Sequence, residues 1–179
     1  MSGTKAEAAG GVVAVEPCDV AAGLESVLFG AGCFWGVEAA FRKMHGVTDT
    51  AVGYSGGSVA QPTYEQVCTD STGHAEVVRV VFDPKVVSFE TLVREFFLLH
   101  DPTQLNRQGP DKGSQYRSAI FCCSDAQRRT AERLRDELNG SGKLSRPVVT
   151  IVDDADTFWR GEEYHQRYLE KNRSAFCAI

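Results

Sequence analysis

The sequence predicts an α+β fold: a two-layer sandwich with a ferredoxin-like βαββαβ core, its helices packed on one mixed sheet, with long loops and a C-terminal coil. Two observations carry that prediction. Apolar runs of strand length alternate with segments of helical periodicity in the order βαββαβαβα, and no internal repeat divides them. The 179 residues fit one domain with an apolar core.

Ser26 to Ala31, a Val-Leu-Phe run followed by small residues, reads as the first strand. Phe34, Val37, Phe41 and Met44 recur at spacings of three and four and share one helical face, until Gly46 breaks the pattern. Val47 to Tyr54 is a second strand, ended by Ser55-Gly56-Gly57, and His74 to Phe82 a third, closed by Asp83-Pro84. Ser88 is placed to cap a helix carrying Leu92, Val93, Phe96, Phe97 and Leu99. Asp101 to Gln115 holds two prolines and two glycines and reads as a long loop, the kind of segment that often carries function. Ala119 to Cys123 returns as a strand. Ser124-Asp125-Ala126-Gln127 is a capping-box pattern for a helix ending near Asn139-Gly140. Val148 to Val152 is a further strand, and Glu162 to Lys171 a short last helix. Residues 1–23, rich in Ala and Gly, read as a mobile N-terminal tail, 24–172 as the folded domain and 173–179 as a C-terminal tail.

The net charge of -5, with both signs interspersed, leaves no basic stripe for a phosphate backbone, so no nucleic-acid partner is expected. No apolar run approaches the roughly 20 residues of a membrane span. Val12 to Val15 is too short for a signal-peptide core, and Glu7, Glu16 and Asp19 argue against one. The expectation is a monomer in the cytoplasm or another reducing compartment. Of the six cysteines, no two have Cys-x-x-Cys spacing, which disfavours a zinc site or a thioredoxin-type pair; no metal is expected. Without a signal peptide, structural disulfides are not expected either. Cys18 reads as an incidental tail thiol. Cys122 and Cys123, adjacent on a strand, should face opposite sides.

Cys33 lies where the first strand gives way to the first helix. A helix N-terminus carries unpaired N–H groups and partial positive charge, and both stabilise a thiolate. Gly32 permits close approach to the sulfur, and Phe34 and Trp35 offer an apolar wall. A cysteine is most often a buried, inert residue; the flanking glycines and adjacent aromatics favour a pocket here.

Gly32-Cys33-Phe34-Trp35-Gly36-Val37-Glu38 resembles the signature of the type A peptide methionine sulfoxide reductases. Further blocks match in order: Gly53-Tyr54-Ser55-Gly56-Gly57, Pro62-Thr63-Tyr64, Thr72-Gly73-His74-Ala75-Glu76, His100-Asp101-Pro102, Asn106-Arg107-Gln108-Gly109, Gln115-Tyr116-Arg117-Ser118-Ala119-Ile120, Tyr164-His165-Gln166 and Tyr168-Leu169. The resemblance spans about Val27 to Cys177. It implies that Cys33 attacks the sulfur of methionine-S-sulfoxide, protein-bound or free, and becomes a sulfenic acid as methionine leaves. It further implies Glu76 as proton donor, Tyr64 and Tyr116 as hydroxyl donors, Phe34 and Trp35 as a cage for the substrate methyl group, and Asp111 and His165 as holders of the substrate backbone. His74 receives no role. Cys177 is implied as the resolving cysteine, forming a disulfide that thioredoxin or another external dithiol reduces; no bound cofactor is implied. The tail departs from the family pattern in lacking glycines around Cys177.

Other readings stand beside this one. Gly53-Tyr54-Ser55-Gly56-Gly57 also fits the Gly-x-Ser-x-Gly elbow of serine hydrolases with Ser55 as nucleophile, but that motif needs a helix directly after the serine. A non-catalytic module that binds methionine sulfoxide or peptide would use the same aromatics. A Cys-His peptidase lacks a matching histidine signature.

Overall fold

Residue parity along the central strands decides the layering. In this computed structural model, which describes residues 11–177, the strands are β1 (Val13–Val15), β2 (Glu25–Gly30), β3 (Val47–Ser55), β4 (Ala75–Phe82), β5 (Arg107–Gln108), β6 (Asp111–Lys112), β7 (Ala119–Cys122), β8 (Ile151–Asp154) and β9 (Phe158–Arg160). The helices are α1 (Phe34–Arg42), α2 (Tyr64–Cys68), α3 (Phe89–Leu99), α4 (Asp125–Gly140) and α5 (Tyr168–Lys171). Alternate strand residues point to opposite faces. Val27, Phe29, Val52, Tyr54, Val78, Val80 and Ile120 therefore meet the apolar stripes of the helices, through Val37 and Phe41 of α1, Leu92, Val93 and Phe96 of α3, and Ala131 and Leu134 of α4. Leu28, Val77, Ala119 and Phe121 form a smaller cluster on the other face with Phe158 and Val15.

The central strands lie in the order β3-β4-β2-β7, each antiparallel to its neighbour. Helix α1 connects β2 to β3 with β4 inserted between them, and α3 connects β4 to β7 around β2. This is the split βαβ arrangement of a ferredoxin-like core. Strand β8 joins β7 in parallel, while β9 and β1 extend the sheet beyond β3, which makes it mixed. The expected α+β sandwich is thus the observed one. Both cap serines act: Ser88 Oγ accepts the Thr91 N–H, and Ser124 Oγ accepts that of Gln127, whose own side chain takes the Cys123 N–H (2.9 Å) rather than closing a capping box on Ser124.

Four expectations need correction. The N-terminal tail is not loose over its described part. β1 pairs with β9 at the sheet edge, and Arg79 donates to the carbonyls of Pro17 (2.9 Å) and Asp19 (2.8 Å). Its β-branched residues suit a sheet edge, and Val15 covers the second apolar face. Residues 1–10 of that tail, and 178–179 of the other, lie outside the described residues. Cys18 is no incidental thiol either, since it is disulfide-bonded to Cys123, 105 residues away. Cys122 instead enters the helix-side core.

The loop from Asp101 to Gln115 carries structure, a two-residue β5–β6 ribbon and a 3-10 turn at Ser114–Tyr116. The helix expected over Glu162 to Lys171 is interrupted: a 3-10 turn at Glu163–His165 gives way to Arg167 at φ 52° before α5 begins. The interruption has a cause in side-chain bonding. Gln166 exchanges two hydrogen bonds with the backbone of Val52, and Glu38 accepts the Arg167 N–H, so the chain is tied to the sheet where a helix would turn away.

A crosslink closing a loop of this length is worth about 4–5 kcal/mol in a chain-entropy account. Reducing Cys18–Cys123, or replacing Cys18 by Ser, is therefore expected to lower the melting temperature by roughly 8–20 °C. Calorimetry on a Cys33→Ser background, which removes other redox chemistry, checks this; an unchanged melting temperature would contradict it.

Candidate active site

Strand β2 delivers the chain to a turn at Gly32, whose φ is 94°. A side chain there would meet Cβ and Cγ of Gln108 at 2.9 Å, so both the backbone conformation and the space require glycine. Gln108 is itself buried and clamps Asp101, accepting its N–H (3.1 Å) and donating to its carbonyl (3.0 Å). The 101–115 segment is thereby fixed against the turn. Cys33 follows as the N-cap residue of α1, half-buried, with no capping hydrogen bond from its side chain.

The first amides of a helix lack intrahelical partners. Here they face three titratable groups. The Phe34 N–H donates to Glu76 Oε2 at 3.2 Å. The amides of Trp35 and Gly36 act on the sulfurs of Cys33 and Cys177 and favour their ionised forms. Glu76 lies on the helix-facing side of β4 and is 2% exposed. Burial pushes its carboxyl up to about 8, with the charges of Asp111 and Cys177 adding to the rise and the Phe34 amide opposing it. At neutral pH it is therefore mainly a carboxylic acid, with one oxygen held by α1 and a proton available on the other.

The thiols of Cys33 and Cys177 interact directly. The Cys177 contact, burial and the nearby negative charges of Cys177 and Glu76 all raise the Cys33 thiol. The Cys33 contact, aided by the Gly36 amide, lowers Cys177 to about 7. Such a pair titrates as a unit, releasing its first proton near neutrality and holding the second.

Tyr64 opens α2, a helix too short to announce itself in the sequence but fixed by a capping box between Thr63 and Gln66. Glu162 anchors it: one carboxylate oxygen accepts the Tyr64 N–H and the other the Tyr54 hydroxyl, each at 2.8 Å. Tyr116 closes the 3-10 turn of the 101–115 segment. Burial, then the charge of Glu76, raises both Tyr64 and Tyr116, so each keeps its proton and remains a donor.

Phe34 is enclosed, with ring centroids 5.9 Å from Tyr54, 5.2 Å from His165 and 6.5 Å from Tyr64. Trp35 stacks on Tyr168 at 3.8 Å, and its indole donates to His165 Nδ1 at 3.0 Å. Indole only donates, so Nδ1 must be the bare nitrogen of His165 and Nε2 must carry the hydrogen. Burial lowers the His165 pKa and keeps it in that neutral form.

The structure gathers Cys33, Glu76, Tyr64, Tyr116, Trp35, Asp111 and Cys177 around the N-terminus of α1. His165, expected against a substrate backbone, is instead fully enclosed beneath the aromatic side chains and holds Trp35. His74 is buried and bonded to Gly57 N–H and the Val59 carbonyl. Ser55 is buried too; its hydroxyl donates to the Thr157 carbonyl, and bends rather than a helix follow it, which removes the serine-hydrolase reading. Glu162 and Glu38 went unassigned in the sequence. An acidic residue destined for burial carries no local mark, although Glu38 stood inside the quoted motif. Among the described residues no His, Cys, Asp and Glu side chains cluster to hold a metal ion, and no helix is long and apolar enough to cross a membrane.

A family described as peptide methionine sulfoxide reductase matches residues 25–179. The chain is 60% identical over 151 residues to the peptide methionine sulfoxide reductase MsrA of Acidobacterium capsulatum, covering 84% of this chain and 97% of that one. Among solved structures, it resembles reduced Mxr1 from Saccharomyces cerevisiae with a TM-score of 0.82 and 37% identity, over 88% of this chain and 90% of that one. It also resembles Mxr1 in complex with Trx2, with a TM-score of 0.59 and 26% identity, over 82% and 86% of the respective chains.

The shared titration of the two thiols is open to direct measurement. Alkylation of Cys177 should show a midpoint near pH 7, moving up toward the ordinary thiol value of about 8.5 in Cys33→Ala. Peptide-resolved labelling across pH checks this, and an unmoved midpoint would contradict the pairing.

Proposed function

The chain belongs to the peptide methionine sulfoxide reductase family, and from that premise we propose how its residues divide the reaction. The protein is an oxidoreductase that reduces methionine sulfoxide to methionine. The single observation that carries the assignment of roles is the arrangement at the N-terminus of α1: a thiol, a carboxyl group raised to about 8 and a second thiol, each facing a free amide.

With the tail seated, Cys177 raises Cys33. Binding of the sulfoxide displaces that contact and leaves the Trp35 amide and the helix terminus, both of which stabilise a Cys33 thiolate. The thiolate attacks the sulfoxide sulfur. Glu76 delivers a proton to the oxygen, while Tyr64 and Tyr116 donate hydrogen bonds to it and add no charge. The oxygen passes to Cys33 as a sulfenic acid, and the thioether of methionine leaves. Phe34 and Trp35 enclose the methyl group, with His165 as a support for Trp35 rather than a substrate contact. Asp111 lies where a substrate backbone would pass. The S epimer is the substrate, as a free amino acid or in oxidised proteins.

Cys177 then attacks the sulfenic sulfur; an S–S bond forms, the S–O bond breaks and water leaves with the added proton. An external dithiol restores both thiols by exchange. Thioredoxin is the reductant in this reading, supported by the likeness to Mxr1 captured with Trx2. In this reading the protein works as a monomer in the cytoplasm or another reducing compartment, where the Cys18–Cys123 crosslink has to resist exchange while Cys33 and Cys177 are kept as thiols.

Cys33→Ser should abolish sulfoxide reduction even with a chemical dithiol present; substantial surviving activity would overturn the assignment. A single-turnover pH profile tests Glu76. Its raised carboxyl donates while protonated, so the rate should fall as pH rises through about 8. In Glu76→Gln the rate should drop about 10²–10⁴-fold, the usual worth of a general acid, and that alkaline limb should vanish. A limb that persists at full rate would remove Glu76 from the role.

A further inference from the structure

Glu38 sits on α1, in the same helix that Cys33 caps, and its side chain is not part of the aromatic cluster. It is 1% exposed. A buried carboxylate is costly unless it is bonded, and Glu38 spends its two oxygens on two different parts of the chain. Oε1 accepts the Thr50 hydroxyl of β3 at 2.9 Å, and Oε2 accepts the backbone N–H of Arg167 at 2.9 Å. Arg167 is the residue at φ 52°, the turn that separates the 3-10 segment from α5. A side chain other than glycine in that region is uncommon and needs its surroundings to hold it.

From that turn onward the chain is docked along α1. Tyr168 stacks on Trp35, and Glu170 pairs with Arg42 at 2.7 Å, while Arg42 also donates to Thr50. Between Asn172 and Cys177, whose sulfur meets Cys33 and the Gly36 amide, the hydrogen bonds among the described residues thin to a single backbone one, from Ala175 N–H to the Asn172 carbonyl. Cys177 thus hangs on a tether of five residues from a platform fixed to the nucleophile's own helix. The chance that its sulfur meets Cys33 depends on where that platform is held, because a short tether sets a local concentration.

We propose that Glu38 is a positioning residue for the resolving step. By fixing the Arg167 turn it holds the C-terminal segment where Cys177 reaches the oxidised Cys33. The inference rests on the reading of Cys177 as the resolving cysteine. The step it serves is the one already balanced above: the Cys177 sulfur bonds to the Cys33 sulfur, the sulfenic S–O bond breaks, and the oxygen leaves as water. Glu38 touches neither sulfur. Its loss should therefore leave sulfenic acid formation intact and slow only disulfide formation.

The experiment follows the two steps separately after rapid mixing of the full-length, reduced protein with methionine sulfoxide. Methionine release reports the first step, and quenched-flow mass spectrometry of the Cys33–Cys177 disulfide reports the second. Glu38→Leu, close in size but without acceptors, should slow disulfide formation about tenfold or more, the scale of one lost hydrogen bond to a charged group. Methionine release should stay within about twofold of the unaltered protein. Glu38→Gln should recover most of the second rate, since its amide oxygen can accept the Arg167 N–H and its NH2 can donate to Thr50.

Should Glu38→Leu fail to fold, Glu170→Ala tests the same platform at a half-exposed position. It removes the pairing with Arg42 and a longer one, 3.6 Å, with the Arg167 side chain, both within the platform, and should slow the second step about two- to threefold, with the first unchanged. Disulfide formation at the original rate in the folded Glu38 variant, or in Glu170→Ala if that alone folds, would overturn the inference. So would equal slowing of both steps, which is what a merely structural loss produces. If the unaltered protein releases methionine but forms no Cys33–Cys177 disulfide, the reading of Cys177 falls, and this inference with it.

Discussion

The hydrogen bond from the Phe34 amide to Glu76 ties the first turn of α1 to the middle of the sheet. It joins two constraints that a single residue could not meet. A carboxyl group buried on β4 is pushed toward its neutral form by desolvation, and the one amide it accepts keeps it oriented without ionising it fully. The next amides of the same turn serve the two sulfurs. One helix terminus therefore sets the protonation of three groups, and moving it would detune all of them together. Gly32 makes this placement possible by letting the chain turn at φ 94° against Gln108.

Around that terminus the polypeptide uses carboxylates as joints. Glu162 binds the first amide of α2 and the hydroxyl of Tyr54, and so fixes Tyr64 relative to β3. Glu38 joins α1, β3 and the Arg167 turn. Bonds of this type, with a charged acceptor, are among the stronger ones available in a fold. They connect segments that hydrophobic packing alone would leave free to slide. The aromatic side chains then fill the space: His165, locked in one tautomer by the Trp35 indole, supports a ring that also stacks on Tyr168.

The sequence made the central sheet legible because its strands obey period two and its long helices carry capped apolar stripes. Cys33 was legible for the same reason: a strand-to-helix junction is visible as a change of period, and its chemistry follows from the helix terminus. The remaining site residues came from motif resemblance, since a glutamate on a strand looks alike whether it will face water or an enclosed thiol. What stayed hidden was non-local. The edge strand β1 and the Cys18–Cys123 crosslink depend on contacts between residues more than 100 positions apart. The break at Arg167 depends on Gln166 and Glu38 binding backbone groups that no local propensity encodes. Helix α2 is five residues long, below the length at which periodicity carries information.

The central claim is that the sulfur at the head of α1 takes the oxygen from the substrate. The most direct measurement is to mix Cys177→Ser, which has no resolving thiol, with stoichiometric methionine sulfoxide and a sulfenic-acid trap, then locate the adduct by peptide mass spectrometry. The account predicts about one methionine released per chain and the adduct on Cys33. An adduct on Cys68 or Cys122 with Cys33 unmodified, or methionine release with no cysteine oxidised, would contradict it.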